Sequence, residues 1–440
     1  MFDINLEKIK NIYFVGIGGI GISAVARMML QNSAKVFGSD MSKSGIIDEL
    51  QKLGAIIKIG QNFNFIPKET ELIIYTTAIE QYDKELMEKI KSSGIPSLSY
   101  PQSLNIISKN KYTIAISGTH GKTTTTAMIA KILIDAKKDP TVIVGSLLID
   151  SVDIRCLQDC RHLMSTGTGR TNFIAGKSKF FVVEACEYKR AFLNLNPKIL
   201  VITNIDTDHL DYYKDLDDIK SAFAELVAKL PSDGVLINDL SAIHLPDGFK
   251  LKIPGKHTIE NAKAALAVAR TLNISDEQAL KSLSEFSGTW RRFEYRGKTK
   301  EGVIVYDDYG HHPHEIEATL QGTRELYPTQ KIVVVFQPHL YSRTKDHLVE
   351  FGKCFKQANE VILLPIFAAR EKDPGDINSE MVVAEIKKNG QYAYFVKTFE
   401  DAINKTKELA GSEDIILTIG AGETNKVADV LVASSATTVR

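Results

Sequence analysis

The chain has 440 residues, is 44% hydrophobic and 25% charged, and carries 54 Lys+Arg against 54 Asp+Glu. That length allows about three domains, and the neutral charge balance excludes a general nucleic-acid binder and a protein held on membranes by its charge. The four cysteines, Cys156, Cys160, Cys186 and Cys354, make no zinc-type pair of CxxC units and are too few for a disulfide scaffold, so reduced thiols in a cytoplasmic protein are expected.

The start, MFDINLEKIK, lacks a signal-peptide layout, and the longest early uncharged run, Ile12–Ala26, is short and glycine-rich; neither a targeting nor a membrane-spanning segment is expected. The first predicted strand, Asn11–Val15, leads into Gly16-Ile17-Gly18-Gly19-Ile20-Gly21 and a helix, Ile22–Leu30. A second strand, Lys35–Gly38, ends at Ser39-Asp40. A glycine turn followed about twenty residues later by an acid is the dinucleotide-binding fingerprint. It places a phosphate-bearing ligand at the helix start without saying which one. Gly19 fits equally a tight turn that packs helix on sheet. A strand at Leu72–Tyr75 ends in Thr76-Thr77-Ala78, a helix spans Asp83–Ser92, and Pro96 and Pro101 mark a boundary near Ser108.

Next comes YTIAISGTHGKTTTTA. Tyr112–Ile116 is an apolar strand, Gly118-Thr119-His120-Gly121-Lys122-Thr123 turns the chain, and Thr124–Asp135 has helical apolar spacing. Glycines there let backbone N–H groups approach phosphate, the helix start favours negative charge, Lys122 can reach terminal phosphates and the Thr123 hydroxyl can meet Mg²⁺. Ile116 stands where the usual pattern has its first glycine, so the loop is short. The strands Phe180–Val183 and Ile199–Thr203 end at Glu184 and at Asn204-Ile205-Asp206-Thr207-Asp208-His209. In a parallel sheet such ends share one edge, which could bring Thr123, Glu184 and His209 to one metal. Mg²⁺ prefers oxygen, so the imidazole is the weakest member and a hydrogen-bonded core histidine is the alternative; Asp206, Asp208 and Asp211 beside it favour the metal. A helix at Asn261–Leu272 follows His257.

Ser287-Gly288-Thr289 is the next expected boundary. Beyond it the pattern predicts strand Val303–Tyr306, helix His314–Leu326, strands Lys331–Phe336 and Val361–Leu364, helix Ser379–Lys388, strand Tyr392–Val396, helix Glu400–Leu409 and strand Ile415–Thr418. This alternation describes another doubly wound unit. Its strands are followed by polar clusters, and it offers Arg291, Arg292, His311, His339, Arg343 and Arg370, types suited to carboxylate or phosphate. The residues thus describe an ATP-dependent enzyme that closes domains around an anionic substrate and a small carboxylate.

Several segments carry a resemblance. They are GIGGIGISAVA at Gly16–Ala26, GTHGKTTTT at Gly118–Thr126, EACEY at Glu184–Tyr188, TNIDTDHLDYY at Thr203–Tyr213, RRFE at Arg291–Glu294, YDDYGHHPHEI at Tyr306–Ile316, FQPHLYSRT at Phe336–Thr344, AAREKDPG at Ala368–Gly375 and GAG at Gly420–Gly422. Together the chain resembles the Mur ligases of peptidoglycan synthesis, and in YDDYGHHP and QPHLYSRT their alanine-adding branch. The resemblance implies an α/β protein of three domains: a Rossmann-like UDP-sugar domain (1–108), a central ATP-binding domain with a phosphate loop and a parallel sheet (109–287), and a Rossmann-like amino-acid domain (288–440).

It further implies that ATP phosphorylates the lactyl carboxylate of UDP-N-acetylmuramate and that L-alanine attacks the acyl phosphate, in the cytoplasm, with Mg²⁺, and by a monomer or homodimer. By the same resemblance Gly118, Thr119, His120, Gly121, Lys122, Thr123 and Thr124 hold ATP phosphates. Thr123 and Glu184 hold one Mg²⁺ and His209 a second. Asn261 contacts adenine, and Arg292 and Asp308 face nucleotide and substrate at a domain junction. Tyr309, His311 and Arg343 match the alanine end, while Gly18, Gly19, Gly21, Asp40 and Thr77 line the UDP site and Asn172 belongs to a sugar-phosphate contact.

The chain departs from the family pattern at Thr258 for a usual Asn, Ile174 for a usual Arg and Ala191 for a usual Ser, and in a short interval from His209 to His257. The polar stretch Asn238–Gly248 predicts a loop there, so the shortening trims a peripheral extension and leaves the parallel sheet complete. Rival readings are a ligase that recycles whole peptides onto UDP-N-acetylmuramate, a nicotinamide-dependent oxidoreductase, and a non-catalytic nucleotide-sugar binder. A dehydrogenase has no need of the phosphate loop, and Lys122, Glu184 and His209 argue against a degenerate binder.

Overall fold

The computed structural model describes residues 4–148, 170–369 and 371–433; Cys156, Cys160 and Arg370 lie outside them. The described strands form three sheets with helices between them, the α/β class expected from the sequence.

The first sheet contains β1 (Asn11–Val15), β2 (Lys35–Asp40), β3 (Ile56–Ile59), β4 (Leu72–Tyr75) and β5 (Ser97–Ser99), in the order β3-β2-β1-β4-β5, all parallel. The apolar runs in β1 and β4 are buried because helices cover both faces. Strand order reverses between β1 and β4, so the Gly-rich turn and Thr76–Ala78 emerge at the switch point, where open α/β sheets bind ligands. Pro101 does not break the chain here. It sits in the first turn of the helix Tyr100–Lys109, whose start is closed by a reciprocal Ser99–Gln102 capping box.

The second sheet contains β6 (Tyr112–Ser117), β7 (Thr141–Leu148), β8 (Thr171–Ile174), β9 (Phe180–Glu184), β10 (Ile199–Ile202) and β11 (Val235–Ile237), in the order β11-β10-β6-β9-β7-β8. It is parallel except for β7–β8, an antiparallel pair that the expected all-parallel sheet lacked. Residues 238–255 contain neither helix nor strand, in agreement with the loop expected at Asn238–Gly248.

The third sheet contains β12 (Glu294–Lys298), β13 (Ile304–Asp308), β14 (Ile332–Phe336), β15 (Glu360–Leu363), β16 (Tyr392–Phe395) and β17 (Ile415–Ile419), in the order β12-β13-β17-β14-β15-β16. Only β12 runs antiparallel.

The chain divides into two compact units, Met1–Leu251 with Glu260–Ser287, and Lys252–Ile259 with Gly288–Arg440. The first holds both N-terminal sheets, which share a continuous apolar core running from Ile12 and Phe14 through Leu104 and Ile107 to Phe181 and Phe223. The dividing line falls inside the helix Lys256–Thr271.

Candidate active site

In the first unit, β6 ends at Ser117 and the helix Lys122–Asp135 begins four residues after Gly118. Gly121 is the N-cap, at φ +81°, and a Cβ there would stand 2.4 Å from Asn261 Oδ1. Glycine is therefore required twice over, by backbone conformation and by contact, and Asn261 is placed against the loop. The segment after β10 supports the loop from the side. Asn204 O accepts the Thr119 N–H at 3.0 Å, Asn204 Oδ1 accepts the His120 N–H at 2.9 Å, and Thr203 Oγ1 donates to His120 O at 2.6 Å. Thr124 follows, half-buried, in the first helical turn.

Thr123 Oγ1 lies 3.1 and 3.0 Å from the two oxygens of Glu184, the last residue of β9. The Gly145 N–H also donates to Glu184 Oε2 at 2.8 Å. His209 does not join this pair. It sits at φ +56°, its ring 4.8 Å from that of Tyr188 and its Nε2 3.7 Å from both Glu187 Oε1 and Asp208 Oδ2. The neighbouring acids diverge: Asp206 faces His120 at 3.8 Å, and Asp211 accepts from Tyr188 Oη at 2.9 Å. Among the described residues no group of three or more His, Cys, Asp or Glu could hold a metal ion.

The partner of Lys122 escaped the sequence reading. Its Nζ donates to Gly118 O at 2.6 Å, Thr119 O at 3.0 Å and Glu187 Oε1 at 2.9 Å. Burial lowers the lysine pKa, but Glu187 first, then Cys186 and Glu184, outweigh it, so the pKa is raised and the ammonium stays charged. The available signal was an acid in the loop just past an apolar strand, three residues after Glu184.

At the first sheet's switch point lies a cleft of about 630 Å³ whose lining includes Gly16, Gly18, Gly19, Asp40, Thr76 and Ala78. Asp40 Oδ2 accepts the Gly18 N–H at 2.9 Å. Gly21 and Thr77 do not line this cleft. Gly21 faces Tyr100, whose ring atoms stand 2.7–2.8 Å from where its Cβ would be, and Thr77 is passed over in favour of its two neighbours. Asn172 is fully buried, and its amide donates to Ile20 O and, at 2.8 Å, to Ser23 Oγ. It thus ties β8 to the helix behind the glycine turn.

In the second unit the two neighbouring arginines part company. Arg291, at φ +56° and 3% exposed, points inward. It bonds Asp307 Oδ2 (2.7 Å), Gly422 O (2.7 Å), Gly420 O (2.5 Å) and Thr424 Oγ1 (3.0 Å), a structural hub. Arg292 is half-buried with its guanidinium 5.3 Å from the Tyr309 ring centre. Asp308 accepts the N–H groups of Phe293 and Gly310, each at 2.7 Å. Burial raises its pKa, while Arg292 and those two N–H groups pull the other way without cancelling the shift. Beyond Tyr309 a chain of contacts continues: its ring to His311 (5.6 Å), His311 to the His339 ring (5.6 Å), and His339 Nδ1 to an Arg343 guanidinium nitrogen (3.2 Å). These residues follow β13 and β14, whose ends share one edge of the sheet.

Comparison with known proteins adds three matching family models. They are the Mur ligase family catalytic domain over residues 11–112, the Mur ligase middle domain over 116–242 and the Mur ligase glutamate ligase domain over 291–422. The chain is 38% identical to the UDP-N-acetylmuramate–L-alanine ligase of Caldanaerobacter subterraneus over 97% of this chain and 98% of that one. It is 39% identical to that of Clostridium acetobutylicum over 98% and 99%. Those alignments run to 473 and 477 positions, longer than the chain itself, as a shortened member requires. Among solved structures, a UDP-N-acetylmuramate–alanine ligase from Thermotoga maritima superposes with a TM-score of 0.78 at 29% identity, over 96% of this chain and 98% of that one. A murein peptide ligase from Psychrobacter arcticus shares the fold, with a TM-score of 0.69 at 22% identity over 98% and 100%. No helix among the described residues is long and apolar enough to cross a membrane.

Proposed function

The chain belongs to the Mur ligase family, and from that premise we propose that it joins L-alanine to the lactyl carboxylate of UDP-N-acetylmuramate at the expense of ATP, in cytoplasmic peptidoglycan precursor synthesis. The observation that carries this reading is end-to-end similarity to chains bearing that activity in their names. The loop, the cleft and the arginine–histidine chain supply residue types the reaction needs. Residues 1–108, 109–287 and 288–440 serve as the UDP-sugar, ATP and amino-acid domains, in a monomer or homodimer that uses neither nucleic acid nor membrane.

A Mg²⁺ ion fits the Thr123–Glu184 pair, two hard oxygen donors already converged beside the loop. His209 brings a nitrogen, a poorer donor for Mg²⁺, and is assigned to a second ion. Bound by Thr123 and Glu184, such an ion would neutralise phosphate charge. The protein's own part is positional. Lys122 steadies the terminal phosphoryl group as it passes to the lactyl carboxylate, helped by the N–H groups of the helix start. Asp40 and the glycine turn hold the sugar nucleotide at the switch point, and Asn261 meets adenine. Arg343 clamps the alanine carboxylate, with Tyr309 and His311 walling a small pocket and Arg292 contributing a cation for phosphate. The alanine amine then attacks the acyl phosphate, giving amide, ADP and phosphate.

Phosphate release from ATP, followed with UDP-N-acetylmuramate and each amino acid in turn, tests this. Release that needs both the sugar nucleotide and alanine supports it. Release indifferent to the amino acid, or absent with alanine, refutes it.

A further inference from the structure

We propose that Glu187 is a positioning residue for Lys122, a built-in counter-ion that parks the lysine on its own loop until a nucleotide displaces it. The proposal rests on reading that loop as the nucleotide site. An ammonium has three donors, and all three are committed: two to the carbonyls of Gly118 and Thr119 and one to Glu187. A phosphate can recruit Lys122 only by taking it from these acceptors.

The carboxylate is set up to hold it. Glu187 is 2% exposed, so its attraction for the lysine is little screened. Its backbone carbonyl accepts the buried Tyr213 hydroxyl at 2.6 Å. The residues just beyond, Lys189 and Arg190, are held at φ +51° and +55°, and Arg190 is pinned by Asp218 at 2.8 Å and by Glu225. Residues kept in the left-handed region persist only where surroundings over-determine them, so the backbone carrying this carboxylate is anchored at its own carbonyl and on its C-terminal side. His209 Nε2 also stands 3.7 Å from Glu187 Oε1.

A site whose key cation is otherwise engaged binds its anion with apparent affinity reduced by the fraction that is free. The Glu187 charge also repels phosphate directly. Glu187→Gln removes both effects and keeps the shape.

The test is calorimetric binding of ADP in EDTA, so that metal plays no part, with melting temperature recorded for each protein. Glu187→Gln should bind ADP about tenfold tighter, the release expected if roughly one site in ten has Lys122 free. Glu187→Asp, which keeps the charge at longer reach, should tighten binding about two- to threefold and covers the case in which the glutamine variant does not fold. In a Lys122→Met background the Glu187→Gln gain should shrink to the small part owed to direct repulsion, since there is no lysine left to release; an undiminished gain there overturns the proposal. A merely structural Glu187 would lower the melting temperature without tightening ADP, and that outcome overturns the proposal. So does weakened binding seen only when Mg²⁺ is added, which would make Glu187 a metal ligand. Failure of the wild type to bind ADP at all would overturn the nucleotide reading and this proposal with it.

Discussion

Two adjacent arginines should fail in opposite ways when each is replaced by methionine. Arg291→Met strips Asp307, which is fully buried, of its cationic partner and leaves it only the Thr418 hydroxyl at 2.5 Å. Breaking a buried pair by removing one partner costs about 3–5 kcal/mol, because the remaining charge is uncompensated. The carbonyls of Gly420 and Gly422 lose donors at the same time, so the upper end of that range applies. Trp290 is the only tryptophan in the chain and adjoins the affected residue, so its fluorescence reports this unit alone. With a urea slope of about 1–3 kcal/mol per molar, the Trp290 transition should move down by about 2 M. Arg292→Met removes a half-buried cation beside Asp308, bonded to no side-chain carboxylate among the described residues, so it should move that transition by about 1 kcal/mol at most and chiefly depress turnover. A stable Arg291→Met protein, or an Arg292→Met protein that unfolds early with intact specific activity, would refute the division of labour drawn from their contacts.

Other expectations concern the chemistry. Lys122→Ala should keep the fold and lose well over nine-tenths of the rate in steady-state ligation assays, since such a group supplies several kcal/mol of transition-state stabilisation, about 3 or more. Thr123→Val keeps the volume and removes the hydroxyl, so the Mg²⁺ concentration for half-maximal rate should rise; an unchanged metal dependence would dissociate Thr123 from the ion. Arg343→Lys should raise the Michaelis constant for alanine far more than that for ATP, because lysine cannot make the paired contact. Competing alanine with a muramyl-type tripeptide should favour alanine, and faster ligation of the tripeptide would assign the chain to the recycling branch instead.

The phosphate loop was legible because strand, glycines and helix are consecutive in the chain and each signals itself locally. Five strands of the third sheet were legible for the same reason, since the apolar runs sit within a residue or two of β13 to β17; the antiparallel edge strand β12, mostly polar, was not expected. What escaped was long-range or marginal. Lys122 and Glu187 are 65 residues apart, and nothing local marks them as a pair. Arg291 and Arg292 look equivalent in sequence; what separates them is that Arg291, on a left-handed backbone, meets Asp307 and the carbonyls of Gly420 and Gly422, partners 16, 129 and 131 residues away. The strand β3 is mostly exposed and β5 has three residues, too little burial or length to register as a pattern. Gly21 and Thr77 belong to recognisable segments, yet the position within a segment that faces a ligand depends on what packs behind it.

That last point has an evolutionary side, visible at Gly21 and Tyr100. The ring of Tyr100 fills the space a side chain at position 21 would need. An alanine arising at 21 is therefore accommodated only in a lineage whose residue 100 has already become smaller, and a return to tyrosine at 100 is then opposed for as long as that alanine stands. Selection meets the two codons, almost eighty apart, as one inherited character. A chimaera that joins an alanine at 21 to Tyr100 should be purged even when both parents are fit.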